Sequence, residues 1–297
     1  MPIPVHDAVD ESVEIAVMKA DAARNGPRYF VASALAGAYI GVAVVLLACA
    51  AGPFAAASSP ATKLVAGSVF GVALTLVVFA GAELFTGNVM VMLAGMFAGR
   101  VRLRDVLLVN GGSLIGNFAG SVAFAAVVNA SGVLNAGAKP GSPAPAASMI
   151  DTLVTAKMSA TGGQLFWRAV LCNMLVCLAI WMAARTTNDA AKLGVLFWGL
   201  LAFIASGFEH SIANMTVFAL AILHGSAHWA DLGHNLIYTI PGNIVGGGLL
   251  VAAPYALIGR RSVTADAYPA EDSTVGGELI APLYDGANEP RVAELTP

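Results

Sequence analysis

Charge is the scarcest property of this sequence. Only 11% of its 297 residues are Asp, Glu, Lys or Arg, less than half of the roughly 25% in an ordinary soluble domain. A water-exposed globular surface has too little to be built from. Neither sign is in excess, because 15 Lys+Arg against 18 Asp+Glu leave a net charge of -3. That excludes the basic face needed to hold a nucleic-acid backbone. With 58% hydrophobic residues the composition is the reverse of a disordered one. Cysteine is scarce as well: Cys49, Cys172 and Cys177 all lie in apolar runs, without metal or framework spacing. No disulfide scaffold or zinc site is indicated, and the three read as small core residues. No nucleophile, base or ligand set converges as an enzyme requires, so no enzymatic activity and no cofactor or metal is expected. What the chain has instead is long hydrophobic runs, and the class left standing is a polytopic protein of the lipid bilayer.

A helix needs about 20 mostly apolar residues to cross the hydrocarbon core. Six runs qualify, at roughly 30–51, 64–99, 106–130, 165–184, 193–223 and 235–258. The second and fifth are too long for one straight crossing. Each is interrupted by glycine and polar residues, Gly81-Ala-Glu83-Leu-Phe-Thr86-Gly87-Asn88 in one and Ser206-Gly-Phe-Glu209-His210-Ser211 in the other. Both read as broken helices.

Glu11, Glu14, Lys19, Asp21, Arg24 and Arg28 precede the first run, so residues 1–29 read as an amphipathic cytoplasmic segment rather than a cleavable signal. Placing it inside collects Arg100, Arg102, Arg104, Arg185, Lys192, Arg260 and Arg261 on the same side. Lys63, Lys139, Lys157 and Arg168 are left for the outer face. The positive-inside rule then sets both termini in the cytoplasm. Residues 30–260 form the transmembrane domain, and 261–297, acidic and rich in Gly, Pro and Ala, read as a flexible cytoplasmic tail.

Two signatures recur along the chain. Gly-x-Glu-x4-Asn occurs at Gly81, Glu83 and Asn88 and again at Gly207, Glu209 and Asn214; Gly-Asn-x-x-Gly occurs at Gly116, Asn117 and Gly120 and again at Gly242, Asn243 and Gly246. The offset is 126 in both cases, from 83 to 209 and from 117 to 243. Two matched pairs at one offset indicate duplication of a three-helix unit. An odd number of spans per unit inverts one half relative to the other, which brings the two breaks face to face at the bilayer midplane. The Gly-Asn-x-x-Gly motifs read as packing devices, with small residues letting helices approach and a buried Asn bonding the broken backbone.

Ionisable residues at membrane depth are expensive, and here they are Glu83, Glu209 and His210. The glutamates occupy matching positions and are expected to accept from freed backbone N–H groups at the half-helix starts. His210 falls on Leu84 in the other repeat, so fold symmetry does not explain it. An imidazole can donate to an anion, or hand it a proton, where desolvation is worst. Thr86, Asn173 and Asn214 lie at comparable depth as neutral donors. Lys157 and Arg168 bracket the outer entrance to the fourth run, either as cations that concentrate anions or as snorkelling interface residues. Phe70, Leu74, Leu84, Phe85 and Phe203 lie within a few turns of the breaks, where a hydrophobic constriction can exclude water.

Read together, Ala36-Gly-Ala-Tyr-Ile-Gly41, Glu83-Leu-Phe-Thr-Gly-Asn88, Cys172-Asn-Met-Leu-Val-Cys-Leu-Ala-Ile-Trp181, Phe208-Glu-His-Ser-Ile-Ala-Asn-Met215 and Gly242-Asn-Ile-Val-Gly-Gly247 resemble the formate/nitrite transporter family. Trp181-Met-Ala-Ala-Arg-Thr186, Ala191-Lys192, Met215-Thr-Val-Phe-Ala-Leu220 and Gly233-His-Asn-Leu236 look most like its nitrite channel branch. The resemblance implies an all-α, aquaporin-like protomer of six transmembrane helices, with a pore in each protomer of a homopentamer in the bacterial inner membrane. It implies passage of nitrite, formate or similar small monovalent weak-acid anions, with protons as a possible companion. Formate or hydrosulfide as the main substrate, or an aquaporin-type neutral solute, are the rival readings. Carried over by residue, it places His210 and Thr86 at the central site, Asn173, Asn214 and Glu209 beside them, and Lys157 at the outer vestibule. Phe70 and Phe203 match the outer constriction, and Leu74, Leu84 and Phe85 the inner one.

Overall fold

The computed structural model describes residues 1–138 and 140–259; Lys139 and the expected tail at 261–297, with Arg260, lie outside the described residues. The described residues form helices and turns, without a strand. Helix α1 (Val5–Arg24) buries Ala8, Ser12, Ala16, Ala20 and Ala23, a seam at mostly four-residue spacing that lays one narrow face of an amphipathic helix on the bundle. The chain turns at Asn25, and Pro27, whose missing N–H costs nothing in a first turn, opens α2 (Gly26–Ala56).

Among the described residues, five stretches are long and apolar enough to cross a membrane: Gly26–Ala56, Thr62–Phe79, Leu103–Ser131, Gly162–Ala184 and Trp229–Ile258. The second consists of α3 (Thr62–Phe70) and α4 (Val72–Phe79), joined through Gly71 in helical conformation. The third and fourth are α6 (Leu103–Ser131) and α8 (Gly162–Ala184). The last comprises α11 (Trp229–Gly247), a π-turn at Gly248–Ala252 and α12 (Ala253–Ile258). Two shorter apolar helices, α5 (Phe85–Phe97) and α10 (Ser211–His224), are almost wholly buried, and α9 (Asp189–Ala205) precedes α10. Hydropathy left residues 131–164 without a helix. The structure has α7 there (Pro145–Met158), 14 residues too short and too mixed for a crossing, with Lys157 in its last turn.

Two helix pairs have the largest contact, α2 with α6 and α8 with α11. Lipid supplies no hydrophobic drive between helices, so close van der Waals packing must hold such pairs, and that needs small residues at the crossing. A Cβ on Gly120 would fall inside contact distance of the Ala34 carbonyl, and one on Gly246 inside that of Val170. The Gly-Asn-x-x-Gly motifs therefore sit where backbones meet. Of the cysteines, Cys172 and Cys177 are buried as expected, whereas Cys49 is exposed on α2. An apolar run has an outward side as well as a core side, and Cys49 lies on the former.

Candidate functional site

Between α4 and α5, and again between α9 and α10, the helix stops for five residues. Gly81 and Gly207 carry φ of 75° and 73°, a left-handed conformation that glycine adopts without a Cβ penalty. The residues that open the new helices, Leu84 (φ −96°, ψ 121°) and His210 (φ −104°, ψ 112°), share one extended geometry. A helix that starts in a protein interior has N–H groups with no intrahelical acceptor. Asn117 Oδ1 accepts from the Phe85 N–H at 2.9 Å, and Asn243 Oδ1 accepts from the Ser211 N–H at 2.9 Å. The same two side chains donate back to the interruptions, Asn117 to the Glu83 carbonyl at 2.8 Å and Asn243 to the Glu209 carbonyl at 3.1 Å. Asparagines borrowed from α6 and α11 thus cap α5 and α10.

The glutamates were expected in that capping role and do something else. Glu209 accepts from Lys157 Nζ at 2.8 Å and from Asn214 Nδ2 at 2.7 Å. The side chains of Lys157 and Glu209 are only 13% and 5% exposed. Glu83 accepts from Lys19 Nζ at 2.6 Å and from Asn88 Nδ2 at 3.0 Å, while Asn88 also donates to the Tyr29 hydroxyl at 3.1 Å. Each glutamate therefore holds one lysine and the asparagine five residues on. In the sequence Lys19 is only one charge of the N-terminal segment; once Lys157 is seen on Glu209, the match of Glu83 with Glu209 points to a second lysine.

Thr86, in the first turn of α5, and His210, at the start of α10, meet where the two interruptions converge. His210 Nε2 is 3.1 Å from Thr86 Oγ1, and both residues are buried. The Ala213 backbone N–H donates to His210 Nδ1 at 3.1 Å. A backbone amide can only donate, so Nδ1 is the acceptor nitrogen, and the neutral ring carries its proton on Nε2, pointing at Thr86. Asn173 donates to the carbonyls of Thr86 (3.1 Å) and Asn243 (2.7 Å), tying the start of α5 to the helix that caps α10.

His210 lines a cavity of about 460 Å³ whose wall also includes Phe70, Phe203, Lys63, Lys157, Arg168 and Glu209. Phe203 stacks on the His210 ring (centroids 5.7 Å from Phe70 edge-on, 5.9 Å from His210 face to face). Phe70, Phe203, His210, Asn214, Glu209 and Lys157 thus share one space. Leu74, Leu84 and Phe85 are buried and do not line it, and neither do Thr86 and Asn173.

The formate/nitrite transporter model matches residues 6–257. The chain belongs to the formate/nitrite transporter family. Its apolar helices fit a membrane transporter. It is 39% identical over 254 residues to the nitrite transporter NirC of Escherichia coli, spanning 84% of this chain and 90% of that one. Among solved structures it resembles an FNT family ion channel (TM-score 0.77, 36% identity, 85% of this chain and 98% of that one). It also resembles a pentameric formate channel with formate bound (TM-score 0.64, 27% identity, 79% and 98%). For this member of the transporter family, the cavity, the paired glutamates and His210 all fall within the matched residues.

Proposed function

We propose that the chain conducts nitrite, and formate or similar small weak-acid anions, through a pore in each protomer of a homopentamer in the bacterial inner membrane, with both termini cytoplasmic. In this reading the fold is two inverted three-helix repeats of an aquaporin-like six-helix protomer whose second and fifth helices are broken. His210 and Thr86 form the central site, and Phe70 and Phe203 shield it from the outer vestibule. Leu74, Leu84 and Phe85 line the inner constriction. The observation that carries the reading is the single Nε2–H at the meeting of two helix starts, with a hydroxyl 3.1 Å away and a cavity leading to it.

An anion leaving water loses its hydration shell, and something must replace it. Helix N-termini each present about half a positive charge, and the His210 Nε2–H and the Thr86 hydroxyl supply directed donors. Because Nδ1 is occupied by Ala213 N–H, the neutral ring has one proton to offer and giving it away would leave an imidazolate. His210 therefore holds the anion by hydrogen bonding, and a proton that accompanies a weak-acid anion is taken up from vestibule water. A neutral-solute channel has no need of an imidazole here, and it carries no anion current.

Nitrite flux into proteoliposomes tests the reading. A hydrogen bond to a charged group contributes about 1.5–3 kcal/mol, so His210→Phe is expected to lower nitrite flux by about tenfold or more at every pH, with assembly intact by size-exclusion chromatography. Unchanged uptake across pH in an assembled His210→Phe protein refutes the central role of the imidazole.

A further inference from the structure

The vestibule holds three cations, and they are not equivalent. Lys157 is bound to Glu209, the one acid among the residues lining the cavity, so its charge is locally offset. Lys63 and Arg168 also line the cavity, and neither has a carboxylate partner among the described residues. Lys63 is exposed, whereas Arg168 is half-buried. The Arg168 backbone is tied to the site, because its carbonyl accepts from the Glu209 N–H at 3.3 Å, at the edge of the interruption before α10. A guanidinium has five N–H donors and no acceptor, and none of those of Arg168 has a protein partner among the described residues. Arg168 lines the cavity, where water or a solute can accept from a guanidinium.

We propose that Arg168 is the binding residue of the vestibule for planar dioxyanions, nitrite and formate, whose two oxygens match the guanidinium fork. The inference rests on the conduction reading and deepens it. A bidentate fork recognises a bent pair of oxygens, while an ammonium is a point charge that does not distinguish them from a single-centre anion. Arg168 therefore selects dioxyanions over hydrosulfide before they reach His210. Lys63 adds long-range attraction that salt screens over about 8 Å at physiological ionic strength.

The test uses the purified full chain in two settings. In proteoliposomes, Arg168→Lys keeps the charge and loses the fork. It is expected to raise the half-saturating nitrite concentration about three- to tenfold, with the effect on half-saturation larger than that on maximal flux, and to leave half-saturation by hydrosulfide within twofold. Arg168→Gln is expected to raise it further and to flatten its dependence on salt. In detergent, the line broadening of [13C]formate by the wild-type protein is expected to disappear in Arg168→Gln. Without any substitution, nitrite and formate at millimolar concentration are expected to protect Arg168 from phenylglyoxal, read by mass spectrometry, whereas hydrosulfide does not. Wild-type half-saturation in Arg168→Lys, or equal protection by hydrosulfide, overturns the fork. Unchanged behaviour in Arg168→Gln overturns the site. Absence of flux for every anion in the wild type refutes conduction, while the formate and phenylglyoxal readings still decide the fate of Arg168.

Discussion

Removing Lys157 while keeping Glu209 strands a carboxylate that is 5% exposed and, among the described residues, keeps only the Asn214 amide as a side-chain partner. Breaking a buried ion pair from one side costs about 3–5 kcal/mol, mostly the cost of the unpaired charge rather than the value of the pair. Lys157→Met keeps the stem that packs in the cavity wall and deletes the charge, so we expect a loss of about 3 kcal/mol. For a domain of this size that corresponds to a drop of about 6–12 °C in melting temperature. Glu209→Gln alone leaves a lysine without its acid and is expected to cost somewhat less, since Lys157 is the more exposed partner and can reach water. The double variant Lys157→Met/Glu209→Gln removes both charges, and Asn214 keeps an amide acceptor. It should recover most of the loss, with a coupling of about 2 kcal/mol between the two sites. The assay is thermal unfolding of the detergent-solubilised protein at fixed scan rate, followed by tryptophan fluorescence. Additive effects in the double variant, or a Lys157→Met protein as stable as the wild type, would show that the 2.8 Å contact carries no stability.

The equivalent pair on the other glutamate is more exposed, 19% for Lys19 and 20% for Glu83, so Lys19→Met is expected to cost about half as much by the same melting assay; an equal or larger loss refutes the ranking by burial. Asn243→Ala removes the acceptor of the Ser211 N–H and both donated bonds, which at about 1 kcal/mol per bond and more for the buried amide left behind predicts a loss near 3 kcal/mol and poor assembly by size-exclusion chromatography. Gly246→Ala puts a methyl into the Val170 carbonyl and is expected to destabilise by about 1–3 kcal/mol, whereas Gly111→Ala, with open space around it, is expected to be neutral or slightly stabilising in the same unfolding series. Mass measurement of the detergent-solubilised particle is expected to give a closed ring rather than a transport-active monomer.

Much of this was readable in the sequence, for a physical reason. Lipid forces long apolar runs and makes each buried charge expensive, so the apolar runs and the ionisable residues within them stand out without any alignment. The matched offset of 126 also pointed to Asn117 and Asn243 as partners of the interrupted backbone, and both bond it. What was not legible depends on contacts between distant segments. Lys19 lies 64 residues from Glu83 on an amphipathic helix whose periodicity says which face is buried, not which residue it meets. Helix α7 leaves no hydropathy signal because it is neither apolar enough to span nor polar enough to be a loop. An acid near a helix start invites a capping role, and nothing in the local sequence announces that an asparagine of α6 or α11 has already taken it.

That division of labour explains why the two interruptions can be alike in backbone and unlike in chemistry. Capping by Asn117 and Asn243 is neutral and comes from outside the interruption, so the residue at the start of each new helix is free to vary. One position holds Leu84 and the other His210 in nearly the same φ/ψ. If the caps had been supplied locally by those residues, neither could differ without unravelling its helix. His210 does cap with Nδ1, by accepting from Ala213 rather than from the Ser211 N–H that Asn243 satisfies, and this is what holds the ring with Nε2 towards Thr86. The two interruptions thus share their asparagines and glutamates and differ at the residue that opens the new helix, leaving one imidazole at His210 beside Thr86.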